Sequence, residues 1–334
     1  MRIAVIGAGA IGGLAAGYLK NKGEDVSLIG HADAVKAIKE KGLGIRGIRG
    51  DFNIKIEAFT RLESSPELVI LATKTQDIAA ALKDNLKFTQ DAIILTTQNG
   101  VRADDIAAGY FPRENIISSI VMFGATCLLP GEIVHNFEGS WIIARAFTKN
   151  DAKVIEVSKA LNQAFSAIVA EDLKGMKSLK IFVNANNCIP AILGKSMQES
   201  FSDPQVSQVS IAIWKEGLKV MDKAGISLSS LPDFPLERIT KLTSLPTQDA
   251  GKIFSGIMSN LSKEPLYGSI LQSIKRGKTS EIDYINGEFV RLAKENNFNA
   301  PLNQKLTEMV HQVEATGKFF TKEELLKNTE GLLI

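Results

Sequence analysis

Six residues that follow the first short apolar run decide most of what this chain can become. Arg2-Ile3-Ala4-Val5-Ile6 is β-rich, and Gly7-Ala8-Gly9-Ala10-Ile11-Gly12 follows it directly. Behind them, Leu14–Lys20 reads as a helix and Val26–Ile29 as a second strand. A lone G-x-G-x-x-G triplet is common in turns, but here it sits between a strand and a helix of one βαβ unit, the context that dinucleotide binding requires. Gly7 permits the tight turn, Gly9 lets the backbone approach a pyrophosphate, and Gly12 lets helix and strand pack closely. The helix start, with the N–H groups of Ala10, Ile11 and Gly12, offers unpaired donors and a positive dipole end to the phosphates.

The alternation of strand and helix continues. Ala34–Lys41 reads as a charged helix, and Leu43–Ile56 as short strands around Gly47 and Gly50. Leu68–Ala72 and Ala92–Thr96 are continuous apolar runs of the kind buried on both faces of a sheet. Helices over Asp77–Leu86 and Val101–Tyr110 and a strand over Ile116–Met122 complete the series, which implies a doubly wound, mostly parallel sheet of Rossmann type. Gly131–His135 and Trp141–Ala144 read as strands added to it in antiparallel fashion; a helix over Asp151–Phe165 and a strand over Ala167–Ala170 close the first domain. From Glu171 the pattern is helical: Lys174–Met197, Asp203–Ala224, Thr247–Leu261, Gly268–Lys275, Thr279–Asn296 and Leu302–Glu314. The expected fold class is α/β, with a dinucleotide-binding domain over 1–170, an all-α domain over 171–334, and a ligand cleft between them.

At 334 residues the chain has room for two domains, and 45% hydrophobic with 23% charged residues is ordinary for a globular protein. A formal charge of +2 gives no footprint for nucleic acid or for an anionic membrane. Cys127 and Cys188 do not form a disulfide framework, and the three histidines lack ligand spacing, so no metal is expected. Ile3–Leu19 is uncharged, but it holds five glycines and has no basic segment before it. It is read neither as a signal nor as a spanning helix, and the expected location is cytoplasmic.

Several residues could carry chemistry. Thr73-Lys74-Thr75-Gln76 and Gln98-Asn99-Gly100 follow the third and fourth buried strands, at the carboxyl edge of the sheet beside the cofactor, although Asn99-Gly100 is also an ordinary turn pair. Lys180, Asn184 and Cys188 are spaced i, i+4, i+8 and share one face of an otherwise apolar helix. Pro190 should bend that helix and deprive the Asn186 carbonyl of its donor. Ser269-Ile270-Leu271-Gln272 precedes Thr279-Ser280-Glu281, where Thr279 or Ser280 can cap a helix and Glu281 falls in its first turn; acids there also simply favour the helix dipole. Ile282, Ile285, Phe289 and Leu292 mark the core stripe of that helix.

With these residues in view, the chain resembles the ketopantoate reductase (2-dehydropantoate 2-reductase) family almost from end to end. The resemblance rests on Ile3–Gly13, Gln98-Asn99-Gly100, Pro130–His135, the Lys180/Asn184 spacing, and above all Ser269–Gln272 combined with Glu281-Ile282-Asp283-Tyr284-Ile285-Asn286-Gly287. It implies NADPH-dependent reduction of ketopantoate to pantoate in the pantothenate and coenzyme A pathway. Lys180 is then the general acid, and Glu281 orients it and the substrate. Asn99, Asn184 and Ser269 position the substrate. Gly7, Gly9, Ala10, Ile11, Gly12, His31, Lys74 and Asn99 meet the cofactor, and a homodimer through the helical domain is implied.

Three positions depart from the family pattern. Cys188 stands where a second asparagine is usual, with Asn187 beside it but about a quarter turn away. Ser178 replaces a tryptophan. His31 replaces an arginine that grips the 2′-phosphate; no acid stands at that strand end, Asp33 comes late, and Lys36 can help, which favours NADP over NAD. The alternatives are a reductase of the same fold acting on another 2-oxo or β-keto acid, motivated by Cys188, and a non-catalytic NADP-binding sensor, which would have no need of a proton donor.

Overall fold

Strand β1 (Arg2–Ile6) sends Ile3 and Val5 into one apolar cluster and Ala4 and Ile6 into another, so both of its faces are buried. It is an interior strand of the sheet in this computed structural model, which describes residues 1–262 and 264–333. By its internal contacts the chain divides into Met1–Lys174 and Gly175–Ile334.

In the first unit β1 is followed by α1 (Ala10–Asn21), β2 (Asp25–Ile29), α2 (Ala32–Lys41), β3 (Leu43–Gly47), β4 (Phe52–Ile54), β5 (Glu57–Phe59), β6 (Leu68–Leu71) and α3 (Ile78–Thr89). Then come β7 (Ile93–Thr96), α4 (Ala103–Ala108), β8 (Ile116–Val121), β9 (Gly124–Leu129), β10 (Glu132–Phe137), β11 (Ser140–Arg145), α5 (Ala152–Leu161) and β12 (Ser166–Val169). Eight strands form one sheet in the order β12-β11-β8-β7-β6-β1-β2-β5. It is parallel except where β11 meets β8. Ile6 pairs in register with Ile29 and Leu71, and Leu71 with Thr96, so the carboxyl ends of β1, β2, β6 and β7 lie along one edge. The doubly wound expectation holds.

The Gly131–His135 strand, however, does not join that sheet. It is β10, which pairs in parallel with β3 and antiparallel with β9 in a separate four-stranded sheet, β4-β3-β10-β9. This small sheet packs on α1, where a Cβ on Gly13 or Gly17 would press into Ile133, Ile45 and Leu43. The reason is pairing at long sequence range: β3 and β10 are some ninety residues apart in the chain, and period-two alternation says nothing about a strand's partner.

The second unit is helical: α6 (Leu173–Ala185, which begins two residues before the boundary), α7 (Cys188–Leu193), α8 (Met197–Phe201), α9 (Pro204–Lys223), α10 (Glu237–Thr243), α11 (Thr247–Ser259), α12 (Ser269–Lys275), α13 (Asn286–Glu295), α14 (Pro301–Thr316) and α15 (Lys322–Thr329). The long amphipathic α9 lies against α11, α13 and α14. Phe182 and Phe289 meet edge-to-face at 5.0 Å beside Gly217, where a side chain would collide with both rings. Trp214 caps this core by donating its Nε1–H to the Phe182 carbonyl at 2.9 Å.

Two expected helices are interrupted. The run 174–197 breaks at Asn186-Asn187, and Pro190 sits in the first turn of α7, where its missing N–H costs nothing. The Asn186 carbonyl is not left without a donor, because Ile189 N–H reaches it at 3.2 Å. The run 279–296 is split into a 3-10 turn, Ile282–Tyr284, and α13, with Ile285 between them at φ −117°, ψ −88°. Glu281 therefore flanks that short turn instead of lying in the first turn of an α-helix. Ile282, Ile285, Phe289 and Leu292 still all point inward.

Candidate active site

The glycine loop does what its spacing demands. Gly7 adopts φ +120°, and a Cβ there would lie 2.6–2.7 Å from the backbone of Ala72 and Thr73, so only glycine lets β1 turn this close to the end of β6. A Cβ on Gly12 would collide with the Gly7 carbonyl, which makes Gly12 the residue that seats α1 against the loop. Gly9 differs from both. It is the N-cap of α1, offers no side-chain cap, and its Cβ position points into open space with nothing within 4 Å. A side-chain-free approach at the start of a twelve-residue helix fits a diphosphate, which would accept from the first-turn N–H groups of Ala10, Ile11 and Gly12.

The same sheet edge carries the other residues of the first unit singled out in the sequence. Gly30 ends β2 against Ala8, where a Cβ would come within 2.6 Å of the Ala8 Cβ, and His31 follows it as the exposed N-cap of α2. Asp33 and Lys36 are exposed in the first turns of that helix. Lys74, half-buried, starts the short turn after β6, and Asn99, also half-buried, follows β7 just before Gly100, whose φ is +81°. Gln98 is held differently: its amide nitrogen donates to the carbonyls of Leu71 and Thr73 at 2.8 and 2.9 Å, and its oxygen accepts from Thr97 N–H at 3.1 Å. It clamps the ends of β6 and β7 together. Neighbouring Thr73 has a buried hydroxyl oxygen with no hydrogen-bond partner among the described residues, a group that a ligand at this edge would satisfy.

In the second unit α6 carries Lys180 and, one turn on, Asn184. Lys180 keeps partial solvent exposure, yet the atoms crowded around it desolvate the ammonium enough to pull its pKa from 10.5 to about 8. Lys177 and Ser178 on the same helix are 4% and 3% exposed. A buried Lys177 had no signal in the sequence beyond its i−3 spacing from Lys180. Ser269 is the exposed first residue of α12. Its N-cap, Gly268, lies so close to Asn187 that a Cβ would come within 3.0–3.1 Å of the asparagine side chain.

Cys188 does not share the Lys180 and Asn184 face, because the helix ends before reaching it. It opens α7 fully buried, and desolvation raises its thiol pKa to about 12. Its Sγ accepts from Asn286 Nδ2 at 3.7 Å, and that amide also donates to Asn303 Oδ1 at 3.0 Å. Asn303 in turn donates to Glu216, whose carboxylate takes the backbone N–H groups of Leu302 and Asn303 at 3.0 and 2.8 Å at the start of α14. Cys188 thus belongs to a buried structural network. Among the described residues no group of histidine, cysteine and acidic side chains could hold a metal ion, and no helix is long and apolar enough to cross a membrane.

Two family models match the chain: Ketopantoate reductase PanE/ApbA over residues 3–146, and its C-terminal counterpart over 172–314. A 2-dehydropantoate 2-reductase of Pyrococcus abyssi is 34% identical over 94% of this chain and 98% of its own length. A second, from Pyrococcus horikoshii, is 32% identical over 95% and 99%. Among solved structures, the ternary complex of D-mandelate dehydrogenase with NADH and anilino(oxo)acetate superposes with a TM-score of 0.82 at 26% identity, covering 95% of this chain and 99% of that one. A ketopantoate reductase from Ralstonia eutropha, at 22% identity and a TM-score of 0.79, shares the fold. Matched at both of its units and along nearly its whole length, the chain belongs to the ketopantoate reductase family of oxidoreductases.

Proposed function

We propose that the protein reduces 2-dehydropantoate to pantoate with NADPH, and that Lys180 is the proton donor. The observation that carries this reading is an ammonium brought to a pKa of about 8 by burial, one helical turn from Asn184, in a chain of this family. A nicotinamide cofactor, when bound, supplies the hydride that attacks the 2-oxo carbon. As the carbonyl π bond breaks, its electron pair moves to oxygen. Lys180 stabilises that developing alkoxide and gives it a proton, leaving a neutral amine and a 2-hydroxy acid. Glu281 orients the ammonium and the substrate. Asn99, Asn184 and Ser269 hold the carboxylate and hydroxyl groups, which fixes the face of the carbonyl that meets the hydride.

The residues of the first unit support a dinucleotide: the open cradle at Gly9, the donors of Ala10 to Gly12, the unpartnered Thr73 hydroxyl, and Lys74. NADP is favoured over NAD because β2 runs into Gly30 and His31, with no carboxylate at the strand end to receive a ribose hydroxyl. His31, with Lys36 a turn further on, would meet a 2′-phosphate.

A second reading is favoured by the fold shared with a dehydrogenase whose complex holds an aryl 2-oxo acid analogue, and by the withdrawal of Cys188 into the core. It assigns the same chemistry to a different 2-oxo acid. Loss of cofactor absorbance with purified protein, NADPH and a panel of 2-oxo acids separates the two. Ketopantoate should give the highest kcat/KM. A much higher value for phenylglyoxylate or another member of the panel would displace it.

A further inference from the structure

Residues 276–285 join α12 to α13 and carry Glu281. Fully buried Ile282 and Ile285 plug this connection into the core, and Tyr284 N–H donates to the Glu281 carbonyl at 3.0 Å. Two side chains one turn apart on α14 hold it from outside. Glu314 Oε1 accepts from the backbone N–H of Ser280 at 2.7 Å, and Glu314 Oε2 lies 3.1 Å from His311 Nδ1. His311 Nε2 lies 2.9 Å from Asp283 Oδ1. The connection is therefore held by its backbone immediately before Glu281 and by the Asp283 side chain two residues after it, and the imidazole joins the two ties.

Both neighbours of His311 are carboxylates, which only accept. A neutral imidazole donates from one nitrogen and satisfies one of them, whereas an imidazolium donates to both. Burial alone depresses the His311 pKa, but its hydrogen bonds to Asp283 and Glu314 outweigh that and hold it above the ordinary 6.5. Asp283, from the 3-10 turn, and Glu314, from its own helix, are the charged groups that act on it.

We propose that His311 is a positioning residue for Glu281: as a cation it bridges Asp283 and Glu314 and so fixes the backbone that carries the Glu281 carboxylate. The proposal rests on the role given to Glu281 above. His311 itself touches neither substrate nor cofactor in this account, and its effect on turnover passes through the turn.

The test is a double-mutant cycle in the full-length enzyme with NADPH and ketopantoate, using His311→Ala, Glu281→Gln and the pair, with His311→Arg as rescue. His311→Ala should lower kcat/KM by roughly tenfold or more, the scale expected when a reacting group is slightly misplaced. In the Glu281→Gln background the same change should cost less than about twofold, because coupled residues are not additive. His311→Arg, a permanent cation with several planar donors, should recover most of the loss, whereas His311→Ala stays low. His311→Gln, which keeps most of the bulk, repeats the cycle should alanine impair folding. Losses that multiply independently, or an arginine variant no better than alanine, would overturn the proposal while leaving Glu281 in place. A silent Glu281→Gln would instead remove the role of Glu281, and that of His311 with it.

Discussion

At the scale of single residues, the decisive quantity is the acidity of Lys180. An ordinary lysine at 10.5 would part with its proton reluctantly at neutral pH; at about 8 it is still protonated there and yields the proton readily. In the proposed reaction Lys180 must be in its acid form, so kcat for the oxo acid should decline above pH ~8 as the ammonium is lost. Initial rates across that range check the claim, and a profile flat to pH ~10 would refute it. Cys188 gives a second residue-level prediction. Its site is fully buried, so Cys188→Asn forces a larger polar group into it and should destabilise the fold by about 1–3 kcal/mol in denaturant unfolding. Unchanged stability with an altered KM for the oxo acid would mean that position 188 faces the ligand after all. The Lys180 and Asn184 spacing was plain in the sequence, since i and i+4 always share a helical face. Extending it to Cys188 failed because a proline three residues into α7 marks where a new helix begins, and the spacing rule holds only within one helix.

At the scale of elements, the opening βαβ unit was legible because its glycines fall at the spacing that a strand, a tight turn and a helix of this kind require. The glycines nevertheless differ in what surrounds them. Gly12 has no room for a methyl group, while Gly9 has room that a ligand would fill. Gly12→Ala should therefore lower the Tm markedly, whereas Gly9→Ala should leave the Tm of the ligand-free protein almost unchanged and raise the KM for NADPH at least tenfold, roughly the loss of one or more charge-assisted hydrogen bonds. Thermal unfolding together with cofactor titration reads both, and a Gly9→Ala enzyme with normal cofactor affinity would contradict the assignment. The small β4-β3-β10-β9 sheet and the break at Ile285 were not legible. The first depends on strands paired across some ninety residues of chain; the second arises where the buried Ile282 and Ile285 and the ties to α14 outweigh local helix propensity. Gln98 was visible only as part of a turn, and its clamp on Leu71 and Thr73 needed the two strand ends side by side.

At the scale of the whole chain, the first unit carries the residues proposed for the cofactor and the second those proposed for the proton. Cofactor choice is the property of the first unit that most needs measuring: kcat/KM should favour NADPH over NADH, and His31→Ala should narrow the difference. A clear NADH advantage would transfer the ribose contact to Asp33. Everything proposed for the reaction, however, converges on one amine. The most direct test is kcat for ketopantoate with saturating NADPH in wild type and Lys180→Ala. General acid catalysis predicts a loss of about 10²–10⁴-fold with NADPH binding retained; turnover undiminished by that substitution would contradict the account.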